Sequence, residues 1–316
     1  MIDHLGRGID YLRISVTDKC NMRCIYCMPE EGVPFRPHDE MLRIEEIARF
    51  VRIAARCGIR KVRLTGGEPL VKKGIVDLVR DIAQTPGIED VSLTTNGILL
   101  PQMAGDLKEA GLNRVNISMD TLDPDQFHYV TRRGHIDDVF RAIDASLAVG
   151  FDPVKINAVA VRSLHQDFYG FAKLSIDRPL HVRFIEYMPV GESSGGSGAG
   201  WTEEDTIPAE EIRAIINERA AEEGHAPLQA VGKDGGPAGS GPAVYYTFPG
   251  AQGTVGFISA MSNHFCASCN RLRLTADGKI RPCLFSDLEV DVRSALRNNS
   301  DDDAVIAIIG DRKSVV

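Results

Sequence analysis

The first two thirds of the chain repeat one pattern of hydrophobic and polar positions. A short apolar run is followed by a polar loop, and then by a stretch whose apolar residues recur every three or four positions. The short runs predict strands and the longer stretches predict amphipathic helices. The predicted strands cover residues 11–16, 61–65, 91–95, 114–118, 154–161 and 181–186.

This repetition predicts the fold class. Six consecutive βα units are typical of an α/β protein with a parallel sheet, here an incomplete TIM barrel. The regular pattern stops near Pro189, and the Gly- and Ser-rich run over 191–200 predicts a loop. One helical pattern over 209–219 follows, with strand-like runs near 243–248, 254–258 and 271–275. We therefore expect a partial barrel over residues 1–200 and a smaller α+β domain over residues 201–316 that closes it.

Composition narrows the class of protein further. The 316 residues carry a formal net charge of −8, which disfavours a general nucleic-acid binder. No apolar stretch is long enough to span a bilayer, and the first residues lack a basic flank followed by an apolar run. The expectation is a cytoplasmic protein without nucleic-acid or membrane partners. Local groups of Arg and Lys can still bind an anionic small molecule.

Six of the seven cysteines fall into two groups of three, which we call the first and second trios. The first trio, Cys20, Cys24 and Cys27, has the spacing C-x3-C-x2-C. In a chain without an export signal such a group indicates metal or redox chemistry rather than disulfides. Three thiolates can hold three irons of a 4Fe–4S cube and leave the fourth iron open. Zinc is the alternative, but structural zinc takes four closed ligands.

The second trio, Cys266, Cys269 and Cys283, has the spacing C-x2-C-x13-C. It predicts a second cluster whose open iron a substrate could bind, and zinc with His264 as fourth ligand remains the alternative. Arg271 and Arg273 lie between these cysteines and point to the same side of a strand. Two such guanidinium groups can clamp a polyphosphate, although a solvated strand face would have the same pattern.

The first trio resembles the signature of the radical SAM superfamily. The sequence over 20–27 is CNMRCIYC, and the TGGEP segment over 65–69 resembles the part of that family that binds the amino group of S-adenosylmethionine (SAM). The resemblance implies that the open iron takes the amino and carboxylate groups of SAM. Cleavage of SAM then gives a 5′-deoxyadenosyl radical that abstracts a substrate hydrogen. For the glycine pair alone, an ordinary βα turn is the alternative.

The second trio and its surroundings resemble one family within that superfamily, the GTP 3′,8-cyclases of molybdenum cofactor biosynthesis. The resemblance is carried by residues 12–18, 61–70, 186–191 and 266–285. It implies a radical SAM lyase with two 4Fe–4S clusters that joins C3′ of the ribose of GTP to C8 of the guanine. It further implies that both trios ligate clusters and that the first trio, Arg13, Arg271 and Arg273 have catalytic roles. The implied SAM contacts are Tyr26, Gly67, Ser118 and Met188. The implied GTP contacts are Arg13, Arg63, Thr94, Lys155, Arg271, Leu272 and Arg273.

The resemblance also implies partners. These are an electron donor of the flavodoxin or ferredoxin type, cyclic pyranopterin monophosphate synthase as the next enzyme, and a second copy of the chain in a homodimer. The family usually ends in Gly-Gly, whereas this sequence ends in DRKSVV, so we expect a shortened or altered tail. The competing functions are a radical SAM enzyme that modifies peptides and a non-catalytic iron–sulfur or zinc protein.

Overall fold

The computed structural model describes residues 1–3, 6–34, 36–188, 200–232, 235–239, 241–285, 288–298 and 301–311. The loop predicted over 191–200 lies outside the described residues except for Gly200. The last residues, 312–316, on which the expectation of an altered tail rests, lie outside them as well.

Strands and helices alternate along the first two thirds of the chain. The strands are β1 Tyr11–Ser15, β2 Lys61–Thr65, β3 Asp90–Thr95, β4 Arg114–Ser118, β5 Val154–Ala160, β6 Leu180–Glu186, β7 Gln229–Ala230, β8 Val244–Thr247, β9 Thr254–Ile258, β10 Arg271–Leu274, β11 Lys279–Arg281 and β12 Val290–Asp291. The helices are α1 Ile44–Arg56, α2 Ile75–Ala83, α3 Leu100–Glu109, α4 Pro124–Thr131, α5 Ile136–Ala148, α6 Phe168–Lys173, α7 Ala209–Glu222, α8 Arg293–Arg297 and α9 Asp302–Asp311. Among the described residues, no helix is both long and apolar enough to cross a membrane.

The strands form one twelve-stranded sheet in the order β12-β11-β10-β1-β2-β3-β4-β5-β6-β9-β8-β7. The eight central strands, from β10 through β1–β6 to β9, are all parallel to their neighbours. This arrangement confirms the predicted α/β fold with six βα units of an incomplete barrel. The predicted strands agree with the observed ones to within one residue at each end.

The strands of the last third join the same sheet as the six βα units. β10 pairs in parallel with β1, and β9 pairs in parallel with β6, so they extend both edges of the six-stranded array. The physical reason is that β1 and β6 would otherwise leave rows of unpaired backbone N–H and C=O groups at the two edges. The domain boundary near residue 200 stays a prediction.

Side chains alternate between the two faces of these strands, and this alternation produces the site. In β1, Leu12 and Ile14 are completely buried among the residues that pack against the helices, and Arg13 between them faces the opposite side. On the helical layer, Ile47 and Val51 of α1 are completely buried in the same hydrophobic cluster. The outer face of the sheet is therefore apolar, while its inner face is free to carry polar groups.

Gly253, the residue before β9, packs closely against the backbone at the start of β6. A Cβ on Gly253 would lie 1.9 Å from the carbonyl oxygen of Leu180, and the Gly253 N–H donates to Ser175 over 2.9 Å. We expect Gly253→Ala to lower the free energy of unfolding by about 2–4 kcal/mol, because the backbone must shift. The measurement is the urea midpoint of the anaerobically purified protein.

The matched control is Gly105→Ala in helix α3, where an added Cβ meets nothing within 4 Å. It should raise the stability by about 0.5–1 kcal/mol, because alanine favours a helix more than glycine does. Equal midpoints for Gly253→Ala and the unsubstituted protein would contradict this explanation of how β9 is held.

Candidate active site inside the barrel

A cavity inside the barrel collects residues from both ends of the parallel strands. It is lined by Met188, which follows β6, and by Cys266, Cys269 and Cys283 near the opposite end. The strands between contribute side chains from their inner faces. These are Tyr11, Arg13, Arg63, Thr94, Asn157, Arg183, Ile185, Ile258, Arg271 and Arg273.

The loop after β1 carries the first trio at the carboxyl end of the barrel, where parallel βα folds place their active sites. Backbone hydrogen bonds to the end of α4 fix this loop: Arg23 N donates to Thr131 O over 3.1 Å and Ile25 N donates to Val130 O over 2.9 Å. Arg132 adopts a left-handed conformation with φ of 60° and donates to the carbonyl oxygen of Arg23. The fold thus presents three cysteines from one compact and well-anchored loop.

The glycine pair of the TGGEP segment lies directly against this loop. Gly67 N donates to Thr17 O and Glu68 N donates to Lys19 O, each over 2.8 Å. A Cβ on Gly66 would come within 2.4 Å of Thr17 O, and one on Gly67 within 2.3 Å of Lys19 O. Only residues without a side chain allow this approach, so the glycines do more than form an ordinary turn.

Glu68 joins the second and third loops of the carboxyl end. Its buried carboxylate accepts hydrogen bonds from Leu70 N at 3.0 Å, Thr95 Oγ1 at 2.7 Å and Asn96 N at 2.7 Å. Burial raises the pKa of Glu68, although the three hydrogen bonds act in the opposite direction. Asn96 in turn donates to Asn21 Oδ1 beside Cys20 over 2.8 Å. The loops after β1, β2 and β3 therefore form one connected network.

Tyr26 is held inside the same end of the barrel. Its hydroxyl donates to Asp120 Oδ2 over 2.6 Å, and its ring stacks on Trp201 at a centroid distance of 5.3 Å. The other carboxylate oxygen of Asp120 accepts from Val159 N at 2.9 Å. Burial raises the pKa of Tyr26 well above its usual value, and the charge of Asp120 adds to this. The tyrosine is therefore a neutral hydrogen-bond donor with a fixed ring.

The second trio lies at the amino end of the strands, opposite the first. Cys269 lies two residues before the start of β10, and Asn270 O accepts from Tyr11 N at 3.2 Å at the start of β1. β11 runs antiparallel to β10, so Cys283, which follows β11, returns to this end. Arg7 further fixes the trio by donating to Cys266 O over 2.9 Å. The cavity therefore lies between the two trios.

The six thiols fit cubic clusters in their chemistry. Each trio is made of free cysteines at short spacing on ordered backbone, and each thiolate of a cube binds a different iron. Burial raises the pKa of Cys20 and of Cys24, so metal binding there must release protons. Within the described part of the chain, no three His, Cys, Asp or Glu side chains converge on a point where a single metal ion could bind.

Cationic side chains line up across the interior because of the strand register. Arg273 pairs with Arg13, Arg13 with Arg63, Arg63 with Ser92 and Ser92 with Arg114, across β10, β1, β2, β3 and β4. Since parallel partners in register face the same side, these five residues form one row on the inner face of the sheet. We call Arg273, Arg13, Arg63, Ser92 and Arg114 the arginine row.

Two further basic residues lie beside this row. Arg183 of β6 is held by Asn116 Oδ1 at 2.6 Å and by Asn157 Oδ1 at 2.9 Å. Lys155 of β5 is 3% exposed. Burial, together with neighbouring positive charges, lowers the pKa of Arg63 to about 9 and that of Lys155 to about 6. At neutral pH the arginines remain charged, whereas Lys155 is mostly neutral until an anion arrives.

Several buried polar atoms in the cavity have no hydrogen-bond partner within the part of the chain that the structure describes. They are the Tyr11 hydroxyl, Thr94 Oγ1 and Arg273 Nη1, which all belong to residues of the cavity lining. Unpaired buried polar atoms cost free energy, and a polar ligand removes that cost. The arrangement therefore suits a ligand that is anionic and has several hydrogen-bonding oxygens.

The residues expected from sequence occupy different parts of this geometry. The cavity is lined by Arg13, Arg63, Thr94, Met188, Arg271 and Arg273. The guanidinium carbon of Arg271 also lies 5.4 Å from the centroid of the Phe265 ring. Ser118 ends β4 at the carboxyl end. The Leu272 side chain instead lies in the hydrophobic core, 6% exposed, so only its main chain remains available for a ligand.

Sequence reasoning missed several residues of the cavity, above all Tyr11, Asn157 and Arg183. Each lies in a strand that was predicted from the sequence, at a position that alternates with apolar neighbours. The same period of two that singled out Arg271 and Arg273 would have placed Arg183 on the inner face.

Comparison with known proteins identifies the family. Residues 14–174 match the model of the Radical SAM superfamily, and residues 180–314 match the model called Molybdenum Cofactor Synthesis C. A protein named GTP 3′,8-cyclase from Heliobacterium modesticaldum is 52% identical over 98% of this chain and 90% of its own length. A protein of the same name from Moorella thermoacetica is 50% identical over 98% of this chain and 91% of its own.

A solved structure shows the same fold. The crystal structure of Streptococcus suis SuiB bound to S-adenosylmethionine superposes with a TM-score of 0.61 at 16% identity, over 95% of this chain and 68% of that one. At this identity the likeness concerns the fold alone. The high identity to the two curated relatives over nearly the whole chain carries the assignment. The chain belongs to the radical SAM superfamily and, within it, to the family of GTP 3′,8-cyclases.

Proposed function

We propose that this chain is a radical SAM lyase that converts GTP into (8S)-3′,8-cyclo-7,8-dihydroguanosine 5′-triphosphate, the first step of molybdenum cofactor biosynthesis. The observation that carries the proposal is a cavity lined by arginines and by the second trio, inside a barrel whose opposite end carries the first trio. Relatives named for this activity, with identities near 50%, support it.

The residues at the carboxyl end would bind SAM and the first 4Fe–4S cluster. Cys20, Cys24 and Cys27 are the ligands of that cluster, and Tyr26, Gly67, Ser118 and Met188 are the SAM contacts. When bound, the cluster supplies the electron that cleaves SAM and so provides the radical that abstracts the hydrogen at C3′ of the ribose. Tyr26, fixed by Asp120 and Trp201, presents a rigid ring and hydroxyl to this site.

The residues at the amino end and along the wall would bind GTP. Cys266, Cys269 and Cys283 are the ligands of the second 4Fe–4S cluster, next to which the guanine is placed. A nucleoside triphosphate carries about four negative charges near neutral pH. Arg13, Arg63, Arg271 and Arg273 face these charges from the strands, and the buried location of Arg63 strengthens its charge-assisted hydrogen bonds.

The chain's own residues also keep water from the reacting ribose. The lining of the cavity also contains apolar side chains, among them Ile185, Ile258 and Phe265. A carbon radical must be protected from side reactions, and a closed, largely apolar wall does this. The arginines fix the phosphates, so that the sugar has one orientation.

The partners are part of the proposal. An electron donor of the flavodoxin or ferredoxin type would reduce the cluster on the first trio. The chain would act in the cytoplasm as a homodimer and hand its product to cyclic pyranopterin monophosphate synthase.

The deciding experiment is an anaerobic assay of the reconstituted protein with SAM, dithionite and GTP. The proposal predicts 5′-deoxyadenosine and a cyclised nucleotide in equal amounts. Formation of 5′-deoxyadenosine that GTP does not stimulate would reject GTP as the substrate, and its complete absence would reject radical chemistry.

The iron content tests the two trios. The reconstituted protein should contain about eight irons per chain, and both Cys20→Ser and Cys266→Ser should contain about four. Cys57→Ser is the matched control, because Cys57 lies just after α1, outside both trios, and it should leave the eight irons in place. Four irons with one zinc in the unsubstituted protein would show that the second trio is a zinc site.

The low pKa of Lys155 predicts that GTP binding is accompanied by proton uptake. Its pKa of about 6 lies far below the usual 10.5, so at pH 8 the free protein holds Lys155 neutral. A bound triphosphate favours the ammonium form and raises this pKa, so binding should take up nearly one proton per GTP at pH 8. Calorimetry in HEPES and in Tris, whose ionisation enthalpies differ, measures this number.

Lys155→Met, which retains the length and loses the amine, should bind GTP with almost no proton uptake. The lowered pKa of Lys155 also determines how the stability of the unliganded protein depends on pH. Between pH 6 and 10.5 the unfolded chain binds more protons at this residue, so the unliganded protein gains stability as the pH rises. Equal proton uptake by both proteins would remove Lys155 from the phosphate site.

A further inference from the structure

The amino end of the barrel contains a buried arginine that the proposed roles do not use. Arg114 is the first residue of β4 and is 4% exposed. Its Nη1 donates to Asp90 Oδ1, but its Nε and Nη2 have no hydrogen-bond partner among the described residues. Asp90 Oδ2 has none either. One edge of a nine-tenths buried guanidinium group is therefore left without an acceptor, which costs free energy in this structure.

The two unpaired atoms form a fork. Nε and Nη2 of a guanidinium group point in the same direction along one edge, with a spacing that matches two oxygens of a phosphate or carboxylate. Asp90 occupies a different edge through Nη1. Arg114 can therefore bind an anion without giving up its ion pair.

A second basic residue, Lys155, lies close to this fork, and one segment of chain contacts both residues. Lys155 Nζ donates to the carbonyl oxygen of Ala238 over 2.7 Å. The next residue, Gly239, lies on Arg114: a Cβ there would come within 2.8 Å of the guanidinium carbon, and its φ of 114° favours glycine. In this structure a carbonyl oxygen thus takes the position of an anion oxygen at Lys155, while the fork of Arg114 has no such partner.

Arg114 also lies on the inner face of the sheet, in register with residues of the cavity lining. Arg114 ends the arginine row, which begins at Arg273 beside the second trio. The positive charge of Arg114 lowers the pKa values of Arg63, Lys155 and Arg183, which shows that the four groups are electrostatic neighbours. Along the eight parallel strands β4 stands four positions from β10, so Arg114 is at the far side of the barrel from the second trio.

We propose that Arg114 binds the terminal phosphate of the nucleotide together with Lys155, in the space that Ala238 and Gly239 fill here. The proposal rests on the proposed function and adds a residue that distinguishes a triphosphate from shorter nucleotides. A guanine beside the second trio would leave the inner phosphates along the arginine row, and only the outermost phosphate would reach its end. The segment 235–239 withdraws when that phosphate enters, since the Ala238 carbonyl and a phosphate oxygen compete for the same ammonium group.

The test compares the affinities of GTP, GMP and inorganic tripolyphosphate under anaerobic conditions by calorimetry. Arg114→Gln should weaken GTP and tripolyphosphate binding by about 10- to 100-fold, because it removes a charge-assisted fork. GMP affinity should change by less than about threefold, since a monophosphate does not reach the end of the row. In turnover, KM for GTP should rise while kcat is retained.

Asp90→Asn is the second variant, and it separates binding from structure. It removes the carboxylate that neutralises Arg114 but keeps the fork, so tripolyphosphate should bind more tightly. If Arg114 served only as the structural partner of Asp90, the two substitutions would act in the same direction. Arg178→Gln, which breaks the exposed Arg178–Asp144 pair on the outer surface, is the matched control and should leave all three affinities unchanged.

Arg114→Lys provides the conservative variant, since it retains a charge in the barrel and loses only the fork. It should recover part of the tripolyphosphate affinity that Arg114→Gln loses. An unchanged ratio of GTP to GMP affinity in both Arg114 variants would overturn the proposal. Tripolyphosphate binding that depends on Arg114 would stand even if no cyclised nucleotide formed, so a failure of the proposed function would be recognised separately.

Discussion

The structure depends on positive charge that is held inside a parallel barrel with little negative charge to balance it. Arg13, Arg63, Arg114, Arg183 and Arg273 point inward from neighbouring strands. Asp90 is the acid that pairs with one of them, Arg114. Buried cations are costly unless they are paired and hydrogen-bonded. The interior is therefore organised around an anionic ligand, and part of its folding cost is recovered only when that ligand binds.

The two ends of the barrel are stabilised by different parts of the chain. At the carboxyl end, glycines without side chains and the carboxylate of Glu68 lock three loops together around the first trio. At the amino end, strands from the last third of the chain add to both edges of the sheet and bring the second trio to the opening. Because the cavity lies between these ends, a substrate can contact one centre with its base while its sugar faces the other.

The sequence predicted the strands and the barrel because each strand has a clear apolar run between polar loops. It also predicted both trios, since the spacing of cysteines along the chain does not depend on where helices and strands begin and end. It could not predict that β9 and β10 join opposite edges of one sheet, because pairing between distant segments depends on backbone groups that every sequence shares. Leu272 shows the other limit: a family resemblance includes a residue whose side chain the strand alternation directs into the core.

Arg183 and Arg114 were predictable in principle. Both lie in strands that were predicted correctly, and counting alternate positions places them on the inner face. The sequence does not give the register between strands, and this register places the separate arginines in one row. Likewise the hydrogen bond between Lys155 and Ala238 joins segments 83 residues apart. Such contacts depend on how the barrel curls, and only a structure reveals them.

The most direct measurement is an anaerobic crystal structure of the reconstituted protein with GTP. The account predicts an iron–sulfur cube on each trio, the guanine beside Cys266, Cys269 and Cys283, and the phosphates along the arginine row inside the barrel. GTP bound outside the barrel, or phosphates directed away from Arg13 and Arg63 into solvent, would contradict it.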